Sequence, residues 1–298
     1  IVTGLPGISI PATRKALAFR RQADLFVLHS RREVREFTRL SREHGWTHRF
    51  ALATLPFIER HEASGGTDLV FAAQAVVPRD PDERRRVLAL LIAAAAADPS
   101  RRVVIKVRGL TGEAQTHAEH VSYPELLQEV DRAPDNLVVS SASMSAALDE
   151  AEGLVTVSST AAIEAIARGI PVIALDVFGV SDELINPVFE GSGLFGGAAA
   201  VLRREFRHPE PSWRDDNYFH AAHDDDVAVQ LEALVAARCQ GVLPAREPAR
   251  KLGGALRLAW DRKRAFGEVD RSIAGAVAVA VGTPARATVI AARKATRA

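Results

Sequence analysis

The chain has 298 residues, 47% of them hydrophobic and 25% charged, which allows two domains with substantial cores and excludes a disordered or fibrous chain. Its longest apolar run, Leu88 to Ala97, falls well short of the ~20 residues that cross a bilayer, and no secretory signal opens the sequence, so a cytoplasmic protein is expected. Charge balances overall and no nucleic-acid partner is expected, but Ala245 to Ala298 carries 12 Lys/Arg against 4 Asp/Glu, a net of +8 that leaves −7 for the remainder of a chain at +1.

Thr13 to Gln22 has helical spacing, Ala23 to His29 reads as a buried strand, Arg31 to His44 as a charged amphipathic helix and Phe50 to Leu55 as the next strand. This alternation is the signature of a parallel sheet with crossover helices. The opening Ile1 to Gly7 reads as a strand end entering a loop. With Met144 the only methionine, the natural start and earlier strands of the same sheet are expected upstream. Residues 1–64 are therefore assigned to the C-terminal part of a first Rossmann-like domain. Pro56 to Thr67 is its linker, because small, polar and ring-constrained residues interrupt the periodicity there.

A second Rossmann-like domain is expected over residues 65–240. Its strands are Asp68 to Val77, Arg102 to Val107, Asn136 to Val139, Gly153 to Val157 and Val172 to Asp176. Its helices are Asp80 to Ala97, opened by Pro81 and acidic residues, then Tyr123 to Arg132, Ser143 to Glu150, and Ala161 to Arg168, stopped by Gly169 and Pro171. The fold class is α/β, doubly wound. Residues 241–298 form a basic helical extension, either solvated or lying against an anionic membrane surface. The lone Cys239 cannot form an internal disulfide and reads as a packed apolar residue.

The stretch from Gly153 to Asp176 carries most of the chemistry. A buried strand delivers Ser158, Ser159 and Thr160 to the start of the next helix, at the carboxyl edge where open α/β sheets bind ligands. Backbone N–H groups and the helix dipole favour an anion there, and hydroxyls add hydrogen bonds without negative charge. One hydroxyl would serve as a helix cap. Three in a row, with Glu164 one turn after Thr160, suit a nucleotide: phosphates at the helix end, the carboxylate on ribose hydroxyls. Lys106, Arg108 and His117 leave a neighbouring strand end, where cationic or N–H donors offset phosphate charge. In the first domain Gly4 to Gly7, with Ser9 and Thr13, forms a glycine loop that lets backbone approach a ligand or simply makes a turn.

Together, the strand, Ser158-Ser159-Thr160, Glu164-Ala165 and Gly169 to Val172 resemble the donor half-site of GT-B glycosyltransferases. The paired serines resemble the Ser-Ser motif of bacterial sialyltransferases and capsule sugar transferases that use CMP-activated sugars. In that group a His-Pro motif meets the nucleotide phosphate, and here His117 is followed by Ala118. Gly4 to Ser9, His29 to Glu33 and Asn217 to His220 resemble an actinobacterial glycosyltransferase family, over most of the chain up to about His223.

The resemblance implies a GT-B-like fold with two Rossmann-like domains facing a cleft, the N-terminal one truncated. It implies transfer of a sugar, favoured as a CMP-activated nonulosonic acid, from a nucleotide sugar to a cell-surface glycan or related acceptor, with no cofactor and no metal. Asp176, Ser181 and Asp182 would lie near the donor sugar, or Ser181 or Asp182 would cap a helix. The base would belong to the N-terminal domain, where His29 and Glu33 are candidates, or lie upstream of Ile1; Glu113, beside His117, is a further candidate. A sugar-nucleotide epimerase, a polyol-phosphate transferase of the same fold and a non-catalytic nucleotide-sugar binding protein stay open.

Two patterns are set aside. Gly191 to Gly196 matches G-x-G-x-x-G but lacks a clear preceding strand. His117 with His120, and His220 with His223, lack the third ligand of a zinc signature.

Overall fold

Short apolar runs make most of the strands, and those at the centre of the second sheet are buried on both faces, as parallel sheets covered on both sides require. In the first sheet these are β1 (Val2–Gly4), β2 (Leu25–Leu28) and β3 (Phe50–Leu52), all parallel and in the order β1-β2-β3. Helix α1 (Arg14–Phe19) is capped by Thr13, whose side chain accepts from the Ala16 N–H, and α2 (Arg31–Glu43) by Ser30, which accepts from Glu33. Leu17, Phe26, Leu28 and Phe37 form the core of this layer. The computed structural model describes residues 1–56, 58, 65–108, 121–244 and 254–295.

The second sheet starts with β4 (Asp68–Ala72) and α3 (Pro81–Ala97), the helix opened by an Asp80 cap and Pro81. There follow β5 (Val103–Lys106), α4 (Tyr123–Gln128), β6 (Leu137–Ser140), α5 (Met144–Asp149), β7 (Ala151–Thr156), α6 (Ala161–Ala167), β8 (Val172–Leu175), β9 (Phe195–Gly196) and α7 (Ala198–Leu202). All pairings are parallel, in the order β6-β5-β4-β7-β8-β9, which is the strand order of a Rossmann sheet. Alternate residues feed opposite cores. Leu69, Phe71, Val103, Ile105, Val155 and Ile173 pack with α3, α4 and α7; Val70, Ala72, Val104, Leu154 and Val172 pack with α5 and α6. Strand order reverses between β4 and β7, and that switch point positions the candidate site.

The chain then returns to the first sheet through α8 (Pro211–Asp216) and α9 (Val227–Cys239). The Asp226 N–H donates to the Leu52 carbonyl while its carboxylate accepts from the Leu52 N–H at 2.7 Å, and Asp225 accepts from the Thr54 N–H. Both sheets belong to one compact unit, Ile1–Leu243. Cys239 is exposed at the end of α9, which buries no side chain, so it is not the packed residue its composition class suggested.

A second unit, Pro244–Ala298, holds α10 (Gly254–Phe266) and α11 (Ile273–Ala295), packed on each other around Ala259, Trp260 and Ala278. No described helix is long and apolar enough to cross a membrane.

Candidate functional site

At the switch point the three hydroxyls take three different roles. Ser158 is buried, and its N–H and Oγ both donate to Gln74 Oε1, at 3.0 and 3.2 Å, from the loop after β4. Ser159 is half-buried; its Oγ accepts from the Ala161 N–H, and its own N–H donates to Thr156 Oγ1. Thr160, also half-buried, makes no cap hydrogen bond, and its Oγ1 accepts from the Ile8 N–H of the β1–α1 loop at 3.3 Å. The N–H groups of Ser158, Ser159 and Ala161, which the sequence left free for an anion, are therefore taken by the side chains of Gln74, Thr156 and Ser159. The hydroxyl protons of Ser159 and Thr160 remain available to donate, since both oxygens act as acceptors in these bonds.

Six further candidates lie on or just after the neighbouring elements. Lys106 ends β5, buried, with Nζ donating to the Val107 carbonyl; burial and the neighbouring Arg108 hold its ammonium below the ordinary lysine value. Arg108 is exposed. Glu164 is half-buried and accepts from Arg168, which also binds Asp149. Asp176 is exposed directly after β8, with Asp182 exposed and Ser181 half-buried beyond it; Ser181 Oγ accepts from the Leu184 N–H and caps a turn. His117 and Glu113 lie outside the described residues.

Opposite, the carboxyl edge of the first sheet meets the second at Gly7. Its φ of +85° is open to glycine, and a Cβ there would meet Thr160 Oγ1 at 2.5 Å, so the loop seats directly on the start of α6. His29 follows β2, half-buried, with Nδ1 2.8 Å from the Ala53 carbonyl. A carbonyl only accepts, so Nδ1 carries a proton and, in the neutral ring, Nε2 presents a lone pair. Glu33 is fully buried in the first turn of α2 and accepts from the Ser9 N–H at 2.9 Å, the His29 N–H at 2.8 Å and the Tyr218 hydroxyl at 2.7 Å. Burial pushes its carboxyl above the ordinary value, against the pull of those three donors.

Sequence reasoning passed over the groups that hold these loops. Arg84, 2% exposed on α3, donates to the carbonyls of Gln74, Ala75, Pro78 and Val121, and so shapes the loop that carries Gln74 to Ser158. Its place in a helix of charged residues hid it; a buried guanidinium is visible only once the loop folds over it. Tyr218 and Asp225 reach the first sheet from far along the chain, and Asp225 also bonds His220 Nε2 at 2.7 Å. Gly191 to Gly196 is a pair of left-handed glycine turns, at Gly191 and Gly193, leading into the edge strand β9.

Among solved structures, the pneumococcal O-GlcNAc transferase GtfA in complex with UDP and GlcNAc is similar at 14% identity, over 81% of this chain and 49% of that one, with a TM-score of 0.43. The S. aureus MnaA-UDP structure is similar at 10% identity over 80% and 65%, TM-score 0.47, and the glycosyltransferase SnogD from Streptomyces nogalater at 14% over 76% and 65%, TM-score 0.33. The chain spans about half the length of the pneumococcal transferase. None of these likenesses reaches a TM-score of 0.5, and no curated protein matches the chain. The sequence match is what assigns it: with residues 1–234 matched, the chain belongs to the family described as "Putative glycosyltransferase (DUF6716)".

Proposed function

We infer that the protein transfers a sugar from a nucleotide-sugar donor to a glycan acceptor, with the donor phosphate held beside Ser159 and Thr160. The observation that carries this reading is the family match over residues 1–234, joined to a hydroxyl-bearing loop at the switch point of a Rossmann-ordered sheet. In this reading Ser158 positions the loop through Gln74, and Ser159 and Thr160 donate to the phosphate. Lys106, Arg108 and His117 offset its charge, and Glu164 takes the ribose. Asp176, Ser181 and Asp182 line the sugar. The acceptor proton passes to His29 Nε2 as the acceptor oxygen bonds the anomeric carbon and the bond to phosphate breaks. The charge left on phosphate is stabilised by donors already in place. Glu33, sealed from solvent, positions His29 rather than taking the proton. A CMP-activated nonulosonic acid is the donor we favour, on the paired serines and His117. No metal or cofactor is assigned a step. The basic Pro244–Ala298 unit suits work beside an anionic surface.

Titration of CMP, UDP, CDP and GDP against the wild type, Thr160→Val and His117→Ala tests the site. Each variant is expected to weaken the nucleotide that binds by about tenfold, the loss of a charge-assisted hydrogen bond. Unchanged affinity in both would overturn the assignment. Turnover of the matching donor, measured on the same preparations, separates a transferase from a binding protein.

A further inference from the structure

Positive charge and apolar exposure coincide within Pro244–Ala298. The two helices of the α10–α11 hairpin pack around Ala259, Trp260 and Ala278, with Gly282 so close to Trp260 that a Cβ would stand 2.6 Å from the indole. At its turn Phe266, Val269 and Ile273 are 61%, 83% and 84% exposed. Ile273 also begins an i, i+4, i+8 stripe continued by exposed Val277 and Val281. Clustered exposure of this kind marks a surface that meets a partner.

The same turn is net basic, with Arg262, Lys263, Arg264 and Arg271 against Glu268 and Asp270. Arg262, Lys263 and Arg264 end α10, and exposed Arg271 precedes α11. Asp270 is already committed: Ser272 and Arg262 hold its carboxyl down at about 2, and Lys263 Nζ donates to its carbonyl. Residues 245–298 carry +8 against −7 for the rest of the chain.

We propose that the α10–α11 turn docks on an anionic membrane surface, with Phe266, Val269 and Ile273 entering the boundary between headgroups and acyl chains and the basic residues facing lipid phosphates. An apolar tip on a net basic unit matches such a surface in both of its properties. A second copy matches only one, because two +8 units repel. The proposal stands independently of the donor reading.

Co-sedimentation of the full chain with vesicles of mixed phosphatidylglycerol and phosphatidylcholine, against phosphatidylcholine alone, is the test. Binding is expected to the anionic vesicles, at least about tenfold weaker to neutral ones, and weakened by salt. Replacing Phe266, Val269 and Ile273 together by Asp should lower it by at least about tenfold without changing the melting temperature, since all three side chains are exposed. Arg271→Glu should weaken it with the tip intact. The proposal is overturned if the wild type sediments with neither vesicle or equally with both, or if the triple variant binds as well as the wild type. It also fails if the tip instead drives a concentration-dependent dimer that the triple variant abolishes, with no vesicle binding.

Discussion

Glu33 is fully buried and accepts three hydrogen bonds. Its position at the start of a helix, just past a strand end, made it a candidate base, yet the side chain is sealed by Tyr218, 185 positions away, and by two backbone N–H groups. Nothing local to residues 29–33 announces that enclosure. It has a measurable consequence. Because burial raises the carboxyl above its ordinary value, the folded state binds the proton more tightly than the unfolded chain does. Stability from this group is therefore fullest below the ordinary carboxylate value and declines as pH rises through the raised one. In urea titrations across that window the wild type should lose stability relative to Glu33→Gln, which cannot ionise. Parallel curves for the two proteins would mean that folding leaves the carboxyl at its ordinary value, its three donors balancing burial; a relative gain with rising pH would mean that the donors outweigh it.

Elements were easier to foresee than their ends. Runs such as Val103–Lys106 and Val172–Leu175 must be apolar on both faces, which is why strand order along the sequence could be read. Their lengths overshoot at the carboxyl edge. Val77, Val107 and Val157 are buried in the same core as the strands, but the ladder has already stopped at Ala72, Lys106 and Thr156. Hydrophobicity reports burial, and the loops that build the site are buried too. One glycine shows how tightly β7 fits. A Cβ at Gly153 would meet the Phe206 ring at 2.3 Å, so Gly153→Ala must displace a ring packed on the core. A loss of ~1–3 kcal/mol is expected in denaturant unfolding, as for overpacked cores. Phe206→Leu added to Gly153→Ala should return part of it; strictly additive losses would place the cost in the β7 backbone rather than in the ring.

Across the larger unit, segments far apart in the chain are tied together. Residues 211–239 follow the second sheet in the chain but bind the first, through Arg31 with Asp215 and Asp224, Arg35 with Asp216, and Thr54 with Asp225. Such long-range ion pairs and carboxylate to backbone bonds have no periodic signature, so no pattern of residues 211–239 could reveal them. Asp225 is the joint on which this argument can be tested. Burial works against its charge, yet Thr54 and His220 hold the carboxyl below the ordinary aspartate value. Its contribution is therefore present above that value and lost as pH falls through the lowered one. Asp225→Asn replaces one acceptor oxygen with a donor, against Thr54 and His220, and should cost ~1–3 kcal/mol at neutral pH, shrinking in acid. Fluorine-labelled tryptophan separates the consequences, because Trp46 packs with the first sheet's core and Trp213 with the second's. If Ile1–Leu243 unfolds as one body, both signals shift together to lower urea in the variant. If Trp46 is lost ahead of Trp213 in the wild type as well, the two sheets unfold separately and Asp225 is a local bond rather than a joint.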